Sequence, residues 1–371
     1  MRDIVEGFQD QVRRALEAKG PLRIRGGGTK DWYGQQLEGD VLDTRAYAGI
    51  VDYEPTELVI TARCGTPLAE IEAVLAERGQ MLAFEPPHFA QFAQFGGGAT
   101  IGGVIAAGLS GPRRASSGAV RDFMLGAKLM NGKGEELDFG GKVMKNVAGY
   151  DVSRLLAGSL GTLGLILEVS VKVLPRAPRE GTLRFENVSE LDAIRWVNEW
   201  AGQPLPVSGS CWIDGVLALR LSGAGAAVDA ALHSFRDAYG QPHGCDLMPD
   251  CDAFWADLRE QRHAFFTDAG DGMALWRLSV PSTAGAIGLA GPQLIEWGGA
   301  QRWLRAPGDA DNAERIRAAV AAVGGHATLF RGGDKRVGVF QPLAPAVARI
   351  HERLKAGFDP ANIFNPGRMY P

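Results

Sequence analysis

The sequence predicts an α+β protein of two domains closed by a returning tail. Its 371 residues exceed the size at which one hydrophobic core usually keeps growing. Helix-period and strand-period segments alternate along the whole chain, and its 50 glycines cluster where a backbone could approach a ligand closely. Pro175 and Pro178 mark the point where that glycine-rich character ends. The expected units are therefore 1–176, 177–340 and a C-terminal helix and tail, 341–371.

Ile4, Val5, Phe8, Val12 and Leu16 recur at helical spacing until Gly20-Pro21 stops them. Leu22–Arg25 is a short strand running straight into Gly26-Gly27-Gly28-Thr29, and Leu58–Ala62 is a second strand before a helix over Pro67–Arg78. Met124–Met130 and Glu135–Phe139 flank Asn131-Gly132, a dipeptide suited to a hairpin turn. Asp151 is placed to cap a helix over Val152–Ala157, and 165–173 alternates as a half-buried strand. Beyond the boundary, Ser189 and Asp192 form a capping-box pattern for a helix to Trp200, and Ala226–Tyr239 reads as a helix ending at Gly240. Strands are expected at Trp212–Leu221, Ala274–Val280, Ala300–Leu304 and Ala327–Phe330, with helices at Asp252–Phe265, Asp309–Val323 and Pro345–Lys355. No internal repeat is visible.

Composition excludes several classes. A net charge of −4 and a pI near 5.9 offer no basic footprint for nucleic acid. No apolar run approaches the roughly 18 residues a membrane helix needs, and the first residues lack a signal-peptide core, so a cytoplasmic protein is expected. Cys64, Cys211, Cys245 and Cys251 have no CxxC spacing, which argues for reduced structural thiols and against a metal or iron–sulfur site in this chain.

The strongest motif is Gly96-Gly97-Gly98-Ala99-Thr100-Ile101-Gly102-Gly103. Bare backbone of this kind can present N–H groups to a pyrophosphate, with the Thr100 hydroxyl in support, and the Gly26–Thr29 loop could act from the other side. Tight turns use the same residues, and neither loop has Rossmann or Walker spacing.

Taken in order, these loops resemble the FAD-binding family typified by vanillyl-alcohol oxidase and para-cresol methylhydroxylase. The likeness runs through Arg25-Gly26-Gly27-Gly28-Thr29, Ala99 to Gly103, Arg114, Ser117-Gly118, Asp122, and Gly158 to Ile166, and returns at Phe358-Asp359-Pro360 and Phe364-Asn365-Pro366-Gly367-Arg368. The closer likeness, to flavin subunits of bacterial glycolate oxidases, rests on Lys145 to Asp151, Trp276-Arg277-Leu278, Gly298 to Trp303, and Leu329-Phe330-Arg331. The resemblance implies a two-subdomain FAD-binding domain of the para-cresol methylhydroxylase type, an α+β, ferredoxin-like cap, and a tail that returns to the FAD domain. It implies that Arg25 to Thr29 and Gly97 to Gly103 hold the pyrophosphate, and that Arg114, Ser117, Gly118, Gly161, Gly164 and Ile166 approach the flavin or adenine. By the same likeness Asn365 reaches the flavin edge. A histidine that anchors FAD covalently in some relatives is absent beside Gly27-Gly28-Thr29, so FAD is expected to be non-covalent. The family's histidine-rich metal motif is also absent, its nearest string being Asp268 to Met273.

The implied reaction is oxidation of glycolate or a D-lactate-type 2-hydroxy acid to the 2-oxo acid, which needs a hydride acceptor, a cation for the carboxylate and a base. Arg277, Arg302 and Arg331, on apolar cap segments, are the candidate cations, the alternative for each being a structural ion pair or a snorkelling surface side chain. His326 is the candidate base, or simply a turn residue after Gly324-Gly325. Two roles stay open. The chain either oxidises substrate itself or is an accessory flavoprotein relaying electrons while a homologous flavin subunit does the chemistry. Implied partners are that subunit and an iron–sulfur subunit, which would bring the protein to the inner membrane only peripherally.

Overall fold

A computed structural model describes residues 1–36, 38–93, 96–141, 151–268, 270 and 272–370. Most of the Lys145 to Asp151 motif therefore lies outside the described residues, as do Ala269 and Asp271. The chain divides into two compact units. One comprises Met1–Ser110, Gly118–Pro175 and Pro342–Pro371, the other Gly111–Ser117 and Arg176–Gln341. The first unit leaves off at Pro175 and the second takes over at Arg176, and the short segment 111–117, read from sequence as part of the first domain, packs with the second unit.

Helix α1 (Arg2–Ala18) buries Val5, Phe8, Val12 and Ala15 and ends at left-handed Lys19, one residue before the glycine expected to stop it. Strand β1 (Leu22–Arg25) pairs in parallel with β2 (Asp40–Asp43). Then follow β3 (Ile50–Glu54), β4 (Val59–Arg63), α2 (Leu68–Glu77), β5 (Gln80–Met81), α3 (Ile101–Ala107), α4 (Arg114–Ser117) and α5 (Val120–Phe123). Strands β6 (Met124–Met130), β7 (Glu136–Gly140) and β8 (Leu165–Lys172) complete a five-stranded antiparallel sheet ordered β3-β4-β8-β6-β7, while β9 (Leu174–Pro175) pairs with β5. Strand β8 is central, so Ile166, Leu167, Val169, Ser170 and Val171 are all buried and the expected half-buried alternation gives way to burial on both faces.

Two local expectations in this unit change. The turn between β6 and β7 spans five residues. Asn131 accepts from the amides of Lys133 and Glu135 through its side chain, and the left-handed position is Gly134, not Gly132. The segment after Asp151 is one 3₁₀ turn, Ser153–Leu156, rather than an α-helix.

The second unit is one eight-stranded sheet. Its first half is β10 (Arg179–Phe185), α6 (Glu190–Ala201), β11 (Val207–Ile213), β12 (Val216–Gly223), α7 (Gly225–His243) and β13 (Asp246–Leu247). Short helices α8 (Cys251–Glu260) and α9 (Ala264–Thr267) lead to β14 (Met273–Ser279), β15 (Gln293–Glu296), β16 (Gln301–Pro307), α10 (Ala310–Ala322) and β17 (His326–Arg331). The spatial order is β13-β10-β12-β11-β15-β16-β14-β17. Each half thus has the strand order 4-1-3-2 of a ferredoxin-like unit, and the halves meet across β11 and β15. This is an internal duplication that no sequence repeat announced. Leu183, Phe185, Leu217 and Leu219 pack under α6 and α7, and Trp276, Leu278, Leu304 and Leu329 under α10. In the second half the helix that would join β14 to β15 is replaced by the loop 280–292.

Three further expectations change here. Trp212–Leu221 is a hairpin, not one strand, because Asp214 and Gly215 both take positive φ. Gly240 does not end α7, which runs on to left-handed Gly244. Left-handed Gln261 divides the expected helix 252–265 into α8 and α9. The final helix, α11 (Pro345–Phe358), returns to the first unit.

Candidate functional site

In the first unit the two glycine loops lie against each other. A Cβ on Gly27 would sit 1.6 Å from the Gly98 carbonyl oxygen, one on Gly97 would sit 2.2 Å from the Gly27 oxygen, and one on Gly26 would sit 2.2 Å from Thr100 Oγ1. These glycines permit backbone to touch backbone. Gly98 differs, since a Cβ there would meet nothing within 4 Å and would project into open space. Among the described residues, the amides of Gly26, Gly27, Gly28, Gly97 and Gly98 have no hydrogen-bond acceptor. Thr100 Oγ1 is buried without a partner between the loops. A cluster of unmet donors beside an unmet hydroxyl suits an anion with many acceptor oxygens, and a pyrophosphate is such a group. The residues present therefore fit FAD.

The cradle is narrower than the sequence predicts. The amides of Ile101 and Gly102 donate to Thr66 and Cys64 carbonyls at 3.0 and 2.9 Å. Gly102 is a packing residue whose Cβ would meet Cys64 Cβ at 2.6 Å, and Gly103 sits one turn into α3. Ala99 is core, and Thr29 is buried with its carbonyl bound by the Trp32 indole at 2.9 Å. Arg25 folds over Gly28 and pairs with Asp31 at 2.7 Å.

The remaining expected flavin contacts have mixed positions. Gly161, at φ 71°, and Gly164, at φ 155°, provide close backbone approach, the first to Asn365 and the second to the Met130 carbonyl. Ile166 is a core residue opposite Leu129. Asn365 is buried and acts as a clamp. Its side chain accepts from the Ile24 amide at 2.9 Å and donates to the Leu160 carbonyl at 2.6 Å, and its own amide donates to Leu22. Gly118, at φ 104°, belongs to the first unit, where Asp122 accepts from the Ala119 amide at 2.8 Å. Arg114 and Ser117 belong to the second unit. The Arg114 guanidinium stacks 4.4 Å from the Trp297 ring, and the Ser117 hydroxyl donates to the Arg113 carbonyl.

In the second unit, strand alternation sends Glu296, Gln301, Trp303, Arg305, Arg277 and Thr328 to the sheet face opposite α6, α7 and α10. Arg331 donates to Gln261 Oε1 at 2.6 Å and to the Phe266 carbonyl. Burial and the neighbouring Arg305 charge push its pKa down to about 10. Arg305, which sequence reasoning missed, donates to the Phe265 carbonyl at 2.7 Å, and its alternation with Gln301 and Trp303 along β16 was the available signal. Arg277 stacks on Phe330 at 5.3 Å. Glu296 is buried and accepts from the Trp303 indole at 2.7 Å and the Gln301 amide at 3.1 Å. His326 stands at the exposed start of β17, with desolvation and then the Arg277 charge lowering its pKa.

Arg302 is not on this face. It is fully buried, donates to the carbonyls of Gly299, Gly285 and Ala284, and faces Glu190 at 3.7 Å. Those bonds hold the loop that replaces the missing helix, so Arg302 is a structural cation and no longer a substrate candidate.

A family model described as FAD binding domain matches residues 5–140. The chain is 47% identical over 370 residues to the glycolate oxidase subunit GlcE of Escherichia coli (strain K12), spanning 99% of this chain and 98% of that one. It is 32% identical over 187 residues to the glycolate oxidase subunit GlcD of Bacillus subtilis (strain 168), covering 48% of this chain and 38% of the relative. The solved structure of p-cresol methylhydroxylase with substrate bound matches with a TM-score of 0.71 at 15% identity, over 98% of this chain and 87% of that one, a likeness of fold. The chain is an FAD-dependent oxidoreductase subunit whose fold is like that of p-cresol methylhydroxylase. More narrowly, the chain belongs to the family of the glycolate oxidase subunit GlcE. The resemblance read from its motifs is thereby borne out.

Proposed function

We propose that this chain binds FAD non-covalently at the two glycine loops and takes part in oxidising glycolate or a D-lactate-type 2-hydroxy acid to the 2-oxo acid. The observation that carries the reading is the cradle, in which, among the described residues, Thr100 Oγ1 has no partner and five glycine amides have no acceptor. When bound, FAD supplies a hydride acceptor for the hydrogen on the substrate's α-carbon. The chain's own residues must hold the carboxylate and receive the hydroxyl proton. Arg277, Arg305 and Arg331 give one face of the cap sheet a positive character suited to the carboxylate. The neutral imidazole of His326 is the available proton acceptor nearest Arg277 in the strand register.

The second reading, an accessory flavoprotein, is favoured by the position of that histidine at an exposed strand end. Under either reading the chain is one subunit of a glycolate oxidase complex, beside a homologous flavin subunit and an iron–sulfur subunit. It is cytoplasmic and associates with the inner membrane only through them. No helix among the described residues is long and apolar enough to cross a membrane. An anaerobic stopped-flow titration of the FAD-loaded chain with glycolate and D-lactate decides between the two. Bleaching of the flavin by the chain alone supports its own catalysis. Bleaching only after a partner flavin subunit is added supports the accessory role.

A further inference from the structure

The C-terminal strap reaches the first glycine loop through Arg368. This guanidinium is 8% exposed, and it donates to the carbonyls of Lys30 at 3.0 Å, Asp31 at 2.9 Å and Gln35 at 3.0 Å. The Arg368 carbonyl in turn accepts from the Gln35 amide at 2.9 Å. Three of its bonds therefore fix backbone immediately after Thr29. The strap is itself anchored on both sides of Arg368. Upstream, Lys355 Nζ donates to Asp359, to Thr162 O and to Phe364 O, while Asn365 holds β1. Downstream, the Tyr370 ring meets His351 edge-on at 5.8 Å.

The pinned segment also packs on the turn that precedes the second loop. Trp32, between the carbonyls that Arg368 holds, packs at 5.6 Å from Phe89 and 5.5 Å from Phe92, just ahead of Gly96. Gly27 and Gly98 meet backbone to backbone. The spacing of the two loops is thus set from both ends, by their own contact and by the strap.

We propose that Arg368 is a positioning residue for FAD, a latch that holds both glycine loops at the separation the pyrophosphate needs, so that the C-terminal strap sets FAD affinity. The proposal rests on the placement of FAD at these loops. Lysine at 368 keeps the charge and the stem but, as a point donor, cannot span three carbonyls in the plane of a guanidinium. In the full chain, Arg368→Lys should raise the FAD dissociation constant about tenfold, mainly through faster release. It should also speed hydrogen exchange at amides 28–35 while leaving the melting temperature of the FAD-free protein within a few degrees of wild type. An FAD affinity within twofold of wild type overturns the latch, whether or not the melting temperature falls. Gly98→Val separates the two ideas. FAD affinity unchanged in that variant overturns the placement and the latch with it. Affinity lost in Gly98→Val but kept in Arg368→Lys overturns the latch alone.

Discussion

At the residue scale, neighbouring glycines of one motif do different jobs. Gly27 has no room for a Cβ because the Gly98 carbonyl is there, whereas Gly98 has room because the open side of the cradle is there. Gly27→Ala should therefore cost folding stability, about 2 kcal/mol or more through forced separation of the loops. Gly98→Ala should leave the urea midpoint of the FAD-free protein unchanged and weaken FAD. Equal stability loss in both variants would show that the loops are only a packing device. The sequence shows that bare backbone is present but cannot say which glycine faces a neighbour and which faces a ligand. Arg302 teaches the same lesson in reverse. Its type and its apolar strand suggested an anion, but the side it faces was decided by register. Arg302→Met should destabilise the second unit by about 3 kcal/mol or more in urea unfolding, because it strands three carbonyls and Glu190. A stable variant that has lost substrate oxidation would return Arg302 to the active site.

At the scale of elements, helix caps were readable and breaks were not. Ser189 and Asp309 cap α6 and α10 through the amides of Asp192 and Asn312, as their side-chain chemistry demands. The hairpin at Asp214-Gly215 was equally legible as a dipeptide, but the apolar run on both sides of it read as one continuous strand. The break after Gln261 depends on His263, whose Nδ1 accepts from the Phe265 amide at 3.2 Å and so must be unprotonated. Burial lowers the His263 pKa below its ordinary 6.5. The unfolded chain thus takes up a proton that the folded one resists, and the contribution of this cap, full above pH 6.5, is lost as pH falls below that value. The urea midpoint of the second unit should fall between pH 7.5 and pH 5.5, and His263→Asn, which can still cap, should reduce that slope. His326, also lowered, shares the same sign, so some slope remains. A slope identical to wild type in His263→Asn would remove the cap from the account.

At the scale of the molecule, the α+β class, the proline break and the returning helix were visible because periodicity and punctuation are local. The duplication inside the second unit was not, because it lives in strand order and survives with no matching residues. Each unit has its own apolar core, one around Phe84, Ile105 and Leu129, the other in the two layers under α6, α7 and α10. Calorimetry should resolve two transitions, with FAD raising only the one that contains the glycine loops, by about 2.7 kcal/mol at a hundredfold excess over its dissociation constant. A single transition shifted as a whole would show that the units melt together. The bond from the Ile24 amide to Asn365 joins residues 341 positions apart. During synthesis this separation becomes a delay. At ordinary ribosomal speeds of roughly 5–20 residues per second, β1 emerges roughly 20–70 s before the strap that completes its edge. The second unit, whose last strand ends at Arg331, has all its residues in hand earlier. The nascent chain therefore holds every strand of the second unit while the first still lacks residues 363–368.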